Sequence, residues 1–219
     1  MATVAERKHR MIMTITQTIV QNGFATLKMD RIAKLMGVSR AKLYQYYSSK
    51  DAVITAVVEQ YLQFMAEQPV PTGQDAAASV RQLPCVLLSL ITLIGSSSHQ
   101  FRTDLAHSDS DLSQRFEREY ADWLARARQF LTTGKANGAY NAQLNPGLFL
   151  IQLEATIPMA MMPAVLSRYG GSSQDVLPDY LQMLMTQVVV PAKWADVDFS
   201  TITSALQQLT INYQQVLTK

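Results

Sequence analysis

Apolar residues recur at helical spacing along most of the chain. In residues 7–22 they fall at Met11, Ile12, Ile15 and Ile19, a spacing that predicts an amphipathic helix. No segment alternates apolar and polar residues with the period of two that a half-buried strand shows. We therefore predict an all-α protein. The predicted helices are 7–22, 29–36, 40–46, one from Ser48 to about Gln68, 76–94, 101–106, 109–137, 146–168, 174–189 and 200–217.

Two short amphipathic helices lie close together between residues 26 and 51. Gly37 supplies a tight turn between them without the steric penalty of a Cβ. Ser39 is a good N-cap for the helix 40–46, and Ser48 with Asp51 resembles a capping box for the helix that follows. This layout is typical of a helix-turn-helix, whose second helix enters the major groove of DNA.

Charge is distributed unevenly along the chain. Residues 1–50 hold nine Lys and Arg against two acidic residues, a net charge of +7, whereas residues 51–219 hold ten against fifteen, a net charge of −5. Residues 1–50, the head, are basic and would attract phosphates. Residues 51–219, the body, are acidic and would be repelled by them. Basic N-terminal runs are often only solvated tails, but this one carries the helical pattern described above. The charge distribution therefore favours a head that binds nucleic acid.

Composition points to a soluble protein of a reducing compartment. With one cysteine, Cys85, no disulfide within the chain and no zinc pattern can form. The chain begins with charged residues instead of a secretory signal. Its most apolar stretch, 148–166, is interrupted by Gln152, Glu154 and two prolines, which favours a buried helix over a membrane span. We expect a cytoplasmic protein without a membrane partner.

No enzyme signature is found among the candidate residues. His99 and His107 flank Asp104, but no metal-ligand spacing repeats and no glycine-rich phosphate loop occurs. Cys85 lies between a proline and an apolar run, which favours burial over catalysis. We expect neither a metal nor a cofactor, and no catalytic activity.

The head resembles the TetR family of bacterial transcriptional regulators. The resemblance rests on Gly23-Phe24, Met29, Ile32-Ala33, Gly37-Val38-Ser39, Leu43-Tyr44 and Tyr47-Ser48-Ser49-Lys50-Asp51. Two residues depart from the family pattern. Lys28 stands where the family usually has Ser or Thr to cap the second helix, so Thr26 is an alternative cap, and Lys42 stands where Thr is common.

This resemblance covers about the first 50 residues and implies two domains. Residues 1–50 are expected to form a three-helix, helix-turn-helix DNA-binding head. Residues 51–219 are expected to form a larger helical domain for ligand binding and dimerisation. The implied partners are double-stranded DNA, a second copy of the chain and an unidentified small-molecule effector.

The residues expected to contact DNA lie mainly on the third helix. Arg40 is the candidate base reader, because its fork matches guanine O6 and N7, and Lys42 is either a second reader or a phosphate clamp. Tyr44 and Tyr46 are expected to bond phosphates through their hydroxyls, as the resemblance implies. Lys50, at the start of the fourth helix, is a further phosphate candidate. The full set is Lys28, Arg40, Lys42, Tyr44, Tyr46 and Lys50, and the alternative for each Lys or Arg is a solvated surface charge.

The body offers a candidate pocket and a candidate dimer interface. Methionines adapt to varied apolar shapes, and prolines within a helix open space beside it. The candidate pocket residues are Cys85, Leu88, Phe116, Tyr120, Trp123, Met159 and Met162. The helices 146–168 and 174–189 carry few charges and are expected to pair across a two-fold axis. Their candidate interface residues are Leu153, Ile157, Leu181 and Leu184. The alternative for the pocket residues is ordinary packing in the core or in the dimer interface.

Together these patterns favour a ligand-responsive regulator of transcription. We expect a repressor that binds a palindromic operator as a homodimer and is released by an apolar small molecule. An all-helical small-molecule binding protein or enzyme with an incidental basic head is the first alternative. A nonspecific architectural DNA protein, with equal affinity for all sequences, is the second.

Overall fold

The computed structural model describes residues 3–73, 75–160, 162–171 and 175–217, and in these ranges every regular element is a helix. The side chains of residue 163 and of residues beyond 211 are outside the description. The chain forms two compact units. The first comprises Met1–Glu67 and Ser96–Asp122, and the second comprises Gln68–Gly95 and Trp123–Lys219. The all-α fold class is confirmed.

The first unit contains the helix-turn-helix. Its helices are α1 (Val4–Asn22), α2 (Met29–Leu35), α3 (Arg40–Tyr46), α4 (Lys50–Glu67), α6 (His99–Ser108) and the first part of α7 (Ser110–Ala136). The helix α1 packs against α4 and α6, and α2 packs against α3. The unit thus includes α6 and part of α7 as well as the segment that resembles the family head.

Local sequence explains where the helices of the head begin and end. Thr3 caps α1 by accepting a hydrogen bond from the Glu6 N–H at 3.2 Å, and α1 ends at Gly23, whose φ of 78° suits glycine. Ser39 caps α3 as predicted, accepting from the Lys42 N–H at 3.2 Å. Ser49 takes the capping role predicted for Ser48, because its hydroxyl accepts from the N–H of residue 52 at 3.1 Å.

An aromatic cluster fills the core of the first unit. Phe101 of α6 and Phe116 of α7 are fully buried, with ring centroids 5.6 Å apart and nearly perpendicular planes. Tyr61 of α4 approaches Phe116 at 5.7 Å, and Phe24 approaches Phe101 at 6.0 Å. The two edge-to-face pairs, Phe101–Phe116 and Phe24–Phe101, each add about 0.5–1.5 kcal/mol to the burial of the rings. The cluster therefore joins α4, α6 and α7 to the turn that follows α1.

The second unit is built from the remaining helices. They are α5 (Ala76–Ser96), the second part of α7, α8 (Pro146–Ala160), α9 (Pro163–Arg168), α10 (Val176–Val188) and α11 (Thr203–Leu217), with 3-10 turns at Pro191–Asp196 and Ser200–Ile202. Helices α8 and α10 lie side by side. The Thr156 hydroxyl is 2.5 Å from the Tyr180 hydroxyl, and the Gln152 amide donates to the Gln187 side chain at 3.2 Å.

Tyr140 makes a buried polar contact in the second unit. Its buried hydroxyl donates to the Ser79 carbonyl at 2.9 Å, and burial raises the pKa of the phenol far above its usual value. Gly134 lies so close to this ring that a Cβ there would be 2.0 Å from a ring carbon of Tyr140. The Asn137 amide donates to the Ser79 hydroxyl at 3.0 Å, which satisfies a second buried polar group.

Most predicted helices are confirmed, with ends that differ by a few residues. The prediction for 146–168 as one helix is wrong, because the chain leaves helical conformation at Met162, directly before Pro163. Proline disfavours helical conformation in the residue that precedes it and has no N–H to donate. Pro158, by contrast, is accommodated inside α8. The 3-10 turn at Pro191–Asp196 was not predicted from the sequence.

One helix in the described ranges, α5, is long and apolar enough to cross a membrane, with a mean hydropathy of 1.7 over its best window. That window is 67% buried inside the protein. Because the protein itself covers most of these apolar side chains, α5 is explained as a core helix.

Candidate nucleic-acid interface

Helix α3 presents a polar face to solvent and an apolar face to the core. Leu43 is fully buried, whereas Arg40, Lys42 and Tyr44 are exposed, and Tyr46 is half-buried. The single buried anchor fixes the helix, and the cap at its start fixes the backbone from which Arg40 and Lys42 project. A short helix held in this way can present several side chains together to a groove.

Arg40 is held in place by two neighbours. Its guanidinium lies 3.0 Å from the Asp30 carboxylate on α2 and 5.5 Å from the centre of the Tyr44 ring. Both charged side chains are about 60% exposed, so the ion pair contributes roughly 0.2–1 kcal/mol to stability. An interaction this weak can be exchanged for a stronger one with a base edge or a phosphate.

Lys28 is exposed at the start of α2 and occupies the cap position without a side-chain cap bond. Thr26 therefore does not replace it, and no side chain caps the first turn of α2. Uncapped N–H groups beside an exposed lysine favour an anion. The seven-residue helix α2 is short, so this feature only adds to the basic character of the head.

Lys50 is already engaged within the first unit. Its ammonium donates to the Ala25 carbonyl at 2.9 Å and lies 5.6 Å from the centre of the Phe24 ring. An ammonium has three N–H donors, so one bond to Ala25 leaves donors for a phosphate. The predicted phosphate contact is thus compatible with this geometry, and Ala25 fixes where the ammonium lies.

Asp104 is a functional candidate that was not predicted from the sequence. This α6 carboxylate is 6% exposed and accepts hydrogen bonds from the N–H groups of Phe24 at 2.5 Å and Ala25 at 2.7 Å. Burial alone raises the pKa of Asp104, but those two N–H groups, the Gln100 amide and the charge of Lys50 outweigh it, so the pKa is lowered. The signal in the sequence was its position, since Phe101, Asp104 and Leu105 share one helix face.

The candidate pocket residues fall in both compact units. Phe116 and Tyr120 belong to the first unit, where their rings stack with centroids 6.3 Å apart. The other five belong to the second unit: Leu88 and Trp123 are buried, Cys85 is half-buried, and Met159 and Met162 are 57% and 51% exposed. The two methionines therefore do not line the interior of the protomer, and an effector pocket built on them stays a prediction.

The candidate interface residues require a correction. Leu153, Ile157, Leu181 and Leu184 are at most 1% exposed within a single protomer. A side chain that its own chain already covers has no surface left for a partner to bury. Periodicity identified apolar helices but not which of their faces packs inward.

The exposed apolar residues on α8 and α10 are different ones. Leu148, Ile151 and Met159 are 62%, 61% and 57% exposed on α8, and Met183 is 46% exposed on α10. The three residues on α8 recur at intervals of three and eight, which places them along one stripe of that helix. This stripe and Met183 form the exposed apolar face of the second unit.

In the described residues, α3 is the exposed and capped second helix of a helix-turn-helix, and the other regular elements are helices too. These features place the chain in the class of helix-turn-helix proteins. Residues 14–57 match the family model described as bacterial regulatory proteins, tetR family. Over 58 residues the chain is 40% identical to the uncharacterized HTH-type transcriptional regulator YvaF of Bacillus subtilis (strain 168). That alignment covers 26% of this chain and 30% of the relative, so the chain is matched to less than a third of the relative's length.

Solved structures share the fold over most of the chain. The ketosteroid transcriptional regulator KstR2 of Mycobacterium tuberculosis matches with a TM-score of 0.60 at 15% identity, covering 84% of this chain and 95% of that one. The TetR transcription regulatory protein from Mycobacterium vanbaalenii matches with a TM-score of 0.52 at 15% identity, covering 85% and 97%. The family match therefore covers the helix-turn-helix segment, and the likeness to the solved structures concerns the fold.

Proposed function

We propose that this chain is a one-component repressor that binds a palindromic DNA operator as a homodimer and releases it on binding a small molecule. The observation that carries the proposal is the exposed face of α3. There Arg40, Lys42 and Tyr44 project together from a helix that Leu43 and the Ser39 cap hold in place. The net charge of +7 on residues 1–50 supports the same conclusion.

Within this proposal each DNA-facing residue has a distinct role. Arg40 exchanges its ion pair with Asp30 for a bidentate contact to guanine, which is worth about 1–3 kcal/mol of discrimination. Lys42, Lys28 and Lys50 hold phosphates, and the hydroxyls of Tyr44 and Tyr46 add neutral phosphate contacts. Phosphate contacts fix the register of the protein on the duplex, and the base contact gives the preference for sequence.

Dimerisation is proposed to use the exposed apolar face. A single head contacts one half-site, whereas two heads related by a two-fold axis read a palindrome. Leu148, Ile151, Met159 and Met183 would then be covered by the same residues of a second copy. Helices α8 and α10 thus remain the proposed dimer interface, but through their exposed faces and not through their buried ones.

The effector is proposed to be an apolar or weakly polar small molecule bound by the body. The body is the acidic part of the chain, with a net charge of −5 over residues 51–219, and it would repel an anionic ligand. Release of DNA requires the ligand to favour a conformation whose heads do not fit successive major grooves. Such a protein acts in the cytoplasm, where both DNA and effector are available.

The test compares two arginines on a DNA fragment selected by the wild-type chain. Arg40→Ala should weaken binding by roughly 5-fold to 150-fold, the equivalent of 1–3 kcal/mol, and should relax preference at one base position. Arg128→Ala removes the same charge from an exposed position on the second part of α7, and it should leave sequence preference unchanged. If the two variants bind alike, Arg40 is not the reader.

The outcome for wild type distinguishes the alternatives. Equal affinity for all sequences would identify a nonspecific architectural protein. No DNA binding even at low salt would identify a helical small-molecule binding protein or enzyme whose basic head is incidental.

A further inference from the structure

The turn between α1 and α2 is held from two sides. On one side, Asp104 of α6 accepts both the Phe24 and the Ala25 N–H on a single oxygen, at 2.5 and 2.7 Å. On the other side, Lys50 of α4 donates to the Ala25 carbonyl at 2.9 Å. The N–H of Ala25 is therefore bound by one helix and its carbonyl by another.

The position of the carboxylate is itself well determined. Its second oxygen accepts from the Gln100 amide one helical turn earlier, at 2.6 Å. Charge-assisted bonds of this length are about twice as strong as bonds between neutral groups. Asp104 is also 6% exposed, so water does not compete freely for these donors.

Close approach of α6 to the turn depends on Gly23. A Cβ at this position would be 2.6 Å from the nearer Asp104 oxygen and 2.7 Å from a Gln100 carbon. The glycine φ of 78° is also one that other residues rarely adopt. The backbone here thus serves two purposes, since it ends α1 and admits the carboxylate.

The turn leads directly into the helix-turn-helix. The Leu27 N–H bonds the Phe24 carbonyl at 3.0 Å, and the carbonyl of Lys28 accepts the first bonds of α2. Because α2 packs against α3, a displacement of the turn changes where α3 and its Arg40 lie. Lys50 is affected as well, because Ala25 fixes its ammonium.

We propose that Asp104 is a positioning residue for DNA binding: its carboxylate holds the turn before α2 against α6 and thereby sets where the helix-turn-helix and Lys50 lie. The inference rests on the proposed DNA-binding function and adds the residue through which α6 acts. Neutralising this acid therefore weakens DNA binding, although removal of a negative charge by itself strengthens attraction to phosphates.

Loss of the positioning contact weakens DNA binding, whereas loss of the negative charge strengthens it, and the test uses this difference. Asp104→Asn keeps the size of the side chain but replaces one acceptor oxygen with a donor. The matched control is Asp111→Asn, which removes the same charge from an exposed position in the same compact unit. We expect Asp104→Asn to lose roughly 10-fold to 100-fold in affinity for the selected DNA fragment, because the amide oxygen replaces charge-assisted bonds to two N–H groups with weaker neutral ones. Asp111→Asn should bind equally well or more tightly.

A second measurement does not depend on DNA. Hydrogen exchange at the Phe24 and Ala25 amides should become faster in Asp104→Asn, while the amides in the middle of α1 stay as protected as in wild type. Should Asp104→Asn fail to fold, Gln100→Ala removes only one of the three donors and should shift exchange and affinity in the same directions by less.

The outcomes separate the two proposals. Faster exchange at Phe24 and Ala25 together with weaker DNA binding supports Asp104 as the positioning residue. Unchanged exchange at Phe24 and Ala25, or DNA affinity equal to or above that of wild type, overturns it. A wild-type chain that binds no DNA overturns the proposed function, and the exchange rates then decide whether Asp104 holds the turn.

Discussion

Ile151 gives the sharpest test of how two copies of this chain assemble. It is 61% exposed at the middle of the apolar stripe on α8, and Ile151→Glu places a carboxylate there. Complete burial of such a side chain is worth about 1.5–3 kcal/mol, so covering the exposed part contributes roughly 1–2 kcal/mol. A two-fold interface contains the residue twice, which gives about 2–4 kcal/mol per dimer.

The expected result is a dimer dissociation constant raised by about 30-fold to 1,000-fold, measured by sedimentation equilibrium across a range of concentrations. Met13→Glu is the control, because Met13 is similarly exposed at 53% but lies on α1 in the other unit. Its dissociation constant should match that of wild type.

A buried residue of the same region should behave differently. Leu184 is fully buried in the protomer, so Leu184→Glu should lower the melting temperature instead of merely separating folded chains. The assignment of the interface is refuted if Ile151→Glu leaves the dimer intact, or if the wild-type chain is a monomer at micromolar concentration.

Three further predictions concern stability. Gly134→Ala should cost about 1–3 kcal/mol, because its Cβ would be 2.0 Å from a ring carbon of buried Tyr140, and calorimetry should show a lower melting temperature. Ser39→Ala should cost about 0.5–2 kcal/mol in urea denaturation through loss of the α3 cap, and it should also weaken DNA binding. The lowered pKa of Asp104 means that its contribution is present above the usual value of about 3.9 and is lost as pH falls through the lower folded-state pKa. Wild type and Asp104→Asn should therefore converge in stability in strong acid, and equal pH dependence at all values would contradict this.

The elements of the head could be predicted from sequence because their signals are local. Ser39 as a cap, Gly37 as a turn and the spacing around Leu43 each act over a few residues, and the observed α3 has the predicted bounds. The break before Pro163 carried a local signal too, but the apolar run around it favoured one continuous helix.

The dimer interface and the contacts of Asp104 could not be predicted from local signals, because they depend on which helices and turns pack together. Apolar periodicity shows that α8 and α10 bury a face, but only the folded chain shows that Leu153 and Leu184 lie inside. Likewise, the backbone N–H groups that bind Asp104 are 79 and 80 residues away in sequence. Its place on an apolar face indicated burial, whereas the identity of its partners required the fold.

The central claim, that α3 of a homodimer reads a specific palindrome, is tested most directly by selecting bound duplexes from a random-sequence library with the full chain at physiological salt. The account predicts a two-fold symmetric motif with half-sites one helical turn, about 34–36 Å, or a multiple of one turn apart. It also predicts that selection with Arg40→Ala loses preference at one symmetric pair of positions. Recovery of no enriched motif, or of a motif that Arg40→Ala leaves unchanged, would contradict it.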